Sequence, residues 1–381
     1  MRGLGISRLT DITRMDRLGL PVWVSVRPRS QTLRVNAGKG LNAHDAQVGA
    51  LMEAIEFAAA EPRHSQWHTE ALTIGRLVGL WDGKFGWPDL APTIGIRTSM
   101  RTRLDAIHCE ELVEGGTMPV PAELVFVPWQ VRKGTRPIFG TSTNGLASGN
   151  TLDEATLHGL LEVMERDAIS MSLARDVSRW VDPDECPAMV RAYAREWRKL
   201  GVDLAVRQVP NCFGLPCFKA CLHEKYDNHV NLAAGHGLHL SRDIALVRAV
   251  CEAAQSRLST IHGGRDDIVG YYQKFKTSNR SGRLDADAAA VAHWFDTARV
   301  ATYAQVPDCL PRHTSVTSLL KGLLQALHRL GFRTVLRHQF VRELGGLHVV
   351  RVLVPGLEHA HAHGNRMGPR LFQQVMGHAH G

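Results

Sequence analysis

"NGLASGNTLDEATLHGLLEVMERDA", residues 144–168, decides how this chain is read. Small residues and two glycines fill its first part, as a tight strand-to-helix loop requires. A helix pattern follows, with Leu157, Leu160, Leu161, Val163 and Met164 supplying apolar positions. Into this apolar run the chain places Glu154, Glu162 and Glu165. On an ideal helix Glu154 and Glu165 lie about 20° apart and Glu162 about 80° from Glu154, so the three share one side. An isolated E-x-x-E is ordinary on an amphipathic helix. A carboxylate pair in a partly apolar setting instead calls for a counter-cation, a proton or hydrogen-bond donors.

The pattern occurs three times. "DAQVGALMEAIE" (45–56), "EATLHGLLEVME" (154–165) and "DIALVRAVCEAAQ" (243–255) align. In each, an alanine (Ala46, Ala155, Ala245) precedes a glutamate (Glu53, Glu162, Glu252) by seven residues. Three residues later come Glu56, Glu165 and Gln255. Each helix follows a glycine-bearing segment: "NAGKGLNAH" (36–44), "TNGLASGNTLD" (143–153) and "AAGHGLHLSRD" (233–243). The expectation is three copies of strand, glycine loop and helix. A second repeat is helix–strand–strand. It spans residues 193–222 and 319–354, each helix stopping at a glycine, Gly201 or Gly331. Together they predict an α+β fold, antiparallel sheets covered by helices, around a central nucleotide cleft. No Pro/Ser-rich linker separates the repeats, so we expect one domain over residues 1–381, with a core of about 5–370 and residues 371–381 a flexible histidine-containing tail.

Clustered carboxylates are hard-oxygen ligands suited to Mg²⁺, and Glu53, Glu56, Glu162, Glu165 and Glu252 are the candidate set. Mg²⁺ usually brings phosphate oxygens. Arg166 and Arg248 beside these acids can bind phosphate or pair with the carboxylates. Lys39 stands between glycines in "AGKG" (37–40). Asn150 or Thr151 can cap the second helix, whose start also offers N–H groups to an anion. No Walker-type or dinucleotide fingerprint is present.

Composition excludes other classes. Of 381 residues, 44% are apolar and 22% charged, which suits a folded globular protein. The formal charge of +8 comes from scattered arginines without a basic run, so we expect no nucleic-acid partner, though an anionic nucleotide or acidic partner fits. No membrane-length apolar run and no signal-peptide pattern are seen, so no membrane role and a cytoplasmic location are expected. Seven irregularly spaced cysteines read as reduced thiols. His359, His361 and His363 alternate as metal ligands on a strand would, or as a polar loop. Glu358 is a candidate acid/base. The sequon "NRS" (279–281) carries no meaning in the cytoplasm.

The residues of the three helices resemble the nucleotide-binding motifs of the YcaO superfamily, over most of the chain. "GISRLTDITRMDRLGLPVWVSVRP" (5–28), "GGRDD" (263–267) and "VPGLE" (354–358) look most like the TfuA-associated, thioamide-forming branch. The resemblance implies that carboxylates hold Mg²⁺ and ATP. Carried over, it assigns this work to Glu53 and Glu56; to Asn150, Glu154, Glu162, Glu165 and Arg166; and to Arg248 and Glu252, with Gln255 and Lys39 as weaker ATP contacts. It implies O-phosphorylation of a peptide-backbone amide, with a sulfide source and a TfuA-like partner giving a thioamide in a peptide or protein substrate. An azoline-forming cyclodehydratase and a non-catalytic ATP-binding scaffold are the alternatives, and a homodimer is implied. Two positions depart from the family, Gly49 and Phe57 standing where serine and arginine are usual, and the P-x-P-x-P tail of many azoline formers is missing.

Overall fold

The structure, a computed structural model, describes residues 2–62, 67–131, 134–226, 229–266, 289–344, 346–360 and 366–379. In chain order the first elements are β1 (Arg8–Asp11), β2 (Val22–Val26), β3 (Val35–Lys39), α1 (Ala43–Ala60), β4 (Glu70–Thr73), α2 (Ile74–Leu80), β5 (Arg103–Glu111) and β6 (Thr117–Pro121). There follow β7 (Leu146–Gly149), α3 (Leu152–Ala174), β8 (Arg179–Trp180), α4 (Ala188–Lys199), β9 (Val202–Gln208), β10 (Cys217–Tyr226), β11 (His229–Leu238) and α5 (Arg242–His262). The last are α6 (Val316–Arg329), β12 (Leu336–Leu344), β13 (Leu347–Leu353) and α7 (Pro369–Ala379). Both repeats are present. Strand–loop–helix recurs as β3–α1, β7–α3 and β11–α5; helix–strand–strand recurs as α4–β9–β10 and α6–β12–β13.

The chain forms two compact units, residues 1–55 with 177–310, and residues 56–176 with 311–381. Each of the three sheets lies within one unit. The interleaved repeats hid this, because the chain passes from one unit to the other without a linker, first inside helix α1.

The first unit holds the antiparallel sheets β1-β2-β3 and β11-β10-β9-β8. Helix α5 packs on β10 and β11, and α4 on β9. Trp197 of α4 is buried, and its indole N–H donates to the Leu18 carbonyl at 2.9 Å, satisfying the one polar atom of a large apolar group. Arg257 of α5 meets Asp16 at 2.8 Å and Glu224 at 2.5 Å, and Arg17 also pairs with Glu224. Two cations thus balance two anions, which buried charge requires.

The second unit holds the sheet β4-β5-β12-β13-β7, with β6 paired to β5. Helix α3 covers β7 and β13, and α6 and α7 pack on α3. Residues 371–379, expected as a flexible tail, belong to helix α7, because Leu371 is 3% exposed and anchors it. His361, His363, the sequon at 279–281 and residues 380–381 lie outside the described residues.

The repeated alanine has a local cause. Asn42, Thr151 and Ser241, each four residues before it, accept an N–H of the first helical turn with their side chains, from Asp45, Glu154 and Ile244. The N–H groups of Ala46, Ala155 and Ala245 bond the carbonyls of the same three residues. Strand and helix then approach backbone to backbone. A Cβ on Gly38 would lie 2.2 Å from the Ala46 carbonyl and 2.0 Å from the Ala50 nitrogen. On Gly237 it would lie 2.1 Å from the Ala245 carbonyl and 2.8 Å from the Ala249 nitrogen. The second copy reverses the small partner: Ala147 stands in the strand and Gly159 in the helix, where a Cβ would come 3.4 Å from that of Ala147. These close approaches require glycine at Gly38 and Gly237, and also at Gly159, where the added Cβ would lie 2.8 Å from the Gly145 carbonyl.

Candidate functional site

In the first unit the close packing of β3 brings Ala37 against two of the predicted positions. The Glu53 carboxylate accepts the Ala37 N–H at 2.8 Å, and the Gln255 amide donates to the Ala37 carbonyl at 3.0 Å. This explains why the third copy has exchanged its last acid for an amide: a carbonyl needs a donor, and a carboxylate has none to offer. Lys39 at the end of β3 reaches Glu252 of α5 at 2.8 Å, and His236 stands 3.8 Å from the other Glu252 oxygen. Burial pushes the Glu53 carboxyl above its ordinary range. Arg265, the Ala37 N–H and Lys39 pull it down, while Glu252 pushes it up again. Two carboxylates are thus held near one another against their repulsion, with Lys39 and Arg265 as partial compensation. A divalent cation satisfies the same need. Arg248, on α5 one turn before Glu252, sits by His239, whose ring burial and then the Arg248 charge push down to about 4. The neutral ring accepts the Ser241 N–H at 3.0 Å and so fixes the loop entering α5.

In the second unit, Ser148 of β7 donates to Glu56 at 2.5 Å. Glu154 accepts the Asn150 backbone N–H at 3.0 Å, with the Asn150 side-chain amide at 3.3 Å from the same oxygen. Thr151, not Asn150, is the cap of α3. Glu162 is half-buried, and its charge acts on Arg351 of β13. Burial pushes the Arg351 guanidinium down to about 9, and Glu162 pulls it back up. Glu165 is 1% exposed, 3.8 Å from the partly exposed Arg166. Of this acidic pair, Glu162 is the one with an accessible carboxylate.

Glu358, the candidate acid/base, is a buried hydrogen-bond acceptor. It is 1% exposed, and its two oxygens accept the N–H groups of Gly368 at 2.7 Å and Leu371 at 2.9 Å. Next to it, Asp167 accepts the Glu358 N–H at 2.7 Å and Arg370 at 2.5 Å. Burial pushes the Asp167 carboxyl up and Arg370 pulls it back. These acids cap and anchor α7. Glu358→Ala is expected to cost ~3 kcal/mol, because two buried N–H groups lose a charged acceptor. Urea unfolding measures it; unchanged stability with lost turnover would return Glu358 to acid/base work.

Among the described residues, no three His, Cys, Asp or Glu side chains form a ready metal cluster. The acids act in ones and twos, which suits Mg²⁺, an ion that keeps waters and takes one or two carboxylates beside phosphate oxygens. Sequence reasoning missed Ser148, Arg265, Arg351 and Asp167 as neighbours of the acids. Arg265 lay in a quoted motif; nothing in the sequence points from Glu162 to Arg351.

No helix among the described residues is long and apolar enough to cross a membrane. The chain is 32% identical over 98% of its length, and 94% of the relative's, to an uncharacterized protein of Methanothermobacter thermautotrophicus. It is 31% identical over 94% of its length to an uncharacterized protein in the tfuA 3′ region of Rhizobium leguminosarum bv. trifolii, covering 85% of that protein. The fold matches YcaO from Methanopyrus kandleri bound with AMPPCP and Mg²⁺, with TM-score 0.73 and 23% identity, over 96% of this chain and 90% of that one. It also matches a heterocyclase in complex with substrate and cofactor, with TM-score 0.76 and 21% identity; there the chain covers 96% of its own length but spans only about half, 52%, of the other. The family model for the YcaO cyclodehydratase, ATP- and Mg²⁺-binding, matches residues 37–358. That match runs from the Ala37 strand through all three acidic helices to Glu358, and with it the chain belongs to the YcaO family.

Proposed function

We propose that this chain uses ATP and Mg²⁺ to activate a backbone amide of a peptide or protein substrate, with sulfide as the nucleophile and a thioamide as the product. The likeness to the protein in the tfuA 3′ region carries the choice of sulfur, and it makes a TfuA-like protein the expected partner. In the reaction, sulfide adds to the amide carbon. The amide oxygen attacks the γ-phosphate, and the C–O bond breaks as phosphate departs, leaving C=S with ADP and phosphate as the other products. Bound Mg²⁺ supplies charge neutralisation at the phosphates.

The chain's own groups do the holding. Glu162 and Glu56 in the second unit, and Glu53 and Glu252 in the first, are the accessible carboxylates for the metal. Glu165, buried beside Arg166, positions that guanidinium for phosphate. Lys39 and Arg248 add positive charge next to the acids. Asn150 and Glu154 hold one another at the α3 entrance, which presets the loop that approaches the nucleotide.

Azoline formation is the second reading, favoured by the cyclodehydratase description of the matching family. There a Cys, Ser or Thr side chain of the substrate takes the place of sulfide. Mass spectrometry of a substrate peptide, after incubation with the chain, its partner, ATP and sulfide, separates the two. Thioamide formation raises the mass by the difference between sulfur and oxygen; ring formation lowers it by one water. A mass lowered by water, with no sulfur gained, overturns the thioamide assignment.

A further inference from the structure

The second unit carries a cavity of about 450 Å³ that none of the acidic helices lines. Its walls include Arg97, Arg103 and Arg136, all exposed, with Trp129, Ile96 and Leu104 as apolar surface. The three guanidinium groups make no ion pair among the described residues. Of the two acids at the cavity, Glu123 is engaged, accepting the N–H groups of Ile138, Phe139 and Gly140 at 3.0, 2.8 and 2.6 Å. Asp105 is the other, and it leaves the cavity with an excess of positive charge.

One wall is the open part of a strand. Strand β5 pairs with β4 along residues 103–106 on one edge and with β6 along residues 106–110 on the other. The Glu111 N–H bonds the Gly116 carbonyl on the β6 side, while the Leu112 N–H bonds Val335 on the opposite side. Alternation along the strand then points the Arg103 peptide group to the β6 side. The β6 ladder ends at Ala106↔Pro121, and no strand among the described residues pairs with Arg103 on that edge. Pro121 and Arg103 both line the cavity.

We infer that this cavity binds an extended acidic segment of the peptide substrate, which continues the line of β6 along β5 and sets its carboxylates against Arg97, Arg103 and Arg136. A strand edge supplies backbone hydrogen bonds whatever the sequence, and the arginines select acid. The segment lies apart from the amide that reacts, so the cavity sets which peptides are held rather than the chemistry. The identity of the ligand as substrate rests on the proposed function; the binding itself does not.

The test uses the full chain and fluorescein-labelled short peptides, read by anisotropy without ATP: alternating glutamate and valine, alternating lysine and valine, and alternating glutamate and proline. The glutamate–valine peptide is expected to bind, and Arg103→Glu and Arg136→Glu each to weaken it about tenfold. The lysine peptide is expected not to bind. The proline peptide, which loses every second backbone N–H and whose rings hold φ near −65° rather than at a strand's value, is expected to bind about tenfold more weakly. Equal binding of the glutamate–valine and glutamate–proline peptides, no effect of either substitution, or displacement by inorganic phosphate at the peptide's own concentration would overturn the inference. ATP affinity, measured on the same variants, is expected to stay unchanged; a chain that binds the peptide but no ATP overturns the proposed function and leaves this site standing.

Discussion

Glu162→Gln is expected to weaken ATP binding in the presence of Mg²⁺ about 100-fold, ~2.7 kcal/mol, and to leave Mg²⁺-free binding unchanged. Glutamine keeps the shape of the side chain and removes only the charge. Glu162 is half-buried on α3, and its charge is one of the few that supports the buried Arg351 guanidinium. Glu53→Gln is expected to weaken Mg²⁺-dependent ATP binding to a similar degree, and to do something Glu162→Gln does not. It raises the melting temperature of the nucleotide-free chain at neutral and alkaline pH. The sign follows from the raised carboxyl. Folding favours protonated Glu53, so its contribution is present below the ordinary value of 4.5 and is lost as pH rises through the higher folded value. Above that value the ionised group opposes folding, and the amide does not. The gain from Glu53→Gln therefore shrinks as pH falls toward the carboxylate range. Calorimetric titration with ATP, with and without Mg²⁺, and thermal unfolding across pH read both effects. Unchanged ATP affinity in both variants sinks the metal assignment.

Gly38→Val is expected to cost more than ~4 kcal/mol and leave the first unit unfolded. Its first added carbon falls 2.0 Å from a backbone nitrogen of α1, and backbone cannot swing aside as a side-chain tip can. Helix α1 would have to lift from β3, which breaks the Glu53–Ala37 bond. Gly49→Ser, which restores the residue usual in the family, is the contrast. Its Cβ meets the Gly38 Cα at 3.4 Å, near ordinary contact, and a change within about 1 kcal/mol is expected. Urea unfolding of the two variants checks the pair. Equal stabilities would mean that β3 and α1 do not pack as described.

What the sequence determined about this protein is what short stretches of chain decide. Caps at Asn42, Thr151 and Ser241, small residues at strand–helix contacts, and acids at fixed offsets all act within about five helical turns, so three copies were legible by eye. The helix–strand–strand units were legible for the same reason, as a change of period from 3.6 to 2 after a glycine. Only the tertiary structure decided which acids are accessible and which are consumed. Glu165 read like Glu162 in the sequence, and Glu358 as a candidate acid/base, yet both are 1% exposed, and Glu358 accepts the N–H groups of Gly368 and Leu371. Gln255 stands in the sequence where the other two copies carry Glu56 and Glu165, and only the Ala37 carbonyl, 218 residues away, shows what its amide faces. The division into two units was hidden for the same physical reason. Hydrogen bonding and burial join residues by distance in space, and nothing in the local pattern around Glu162 or Glu53 records Arg351 or Arg265.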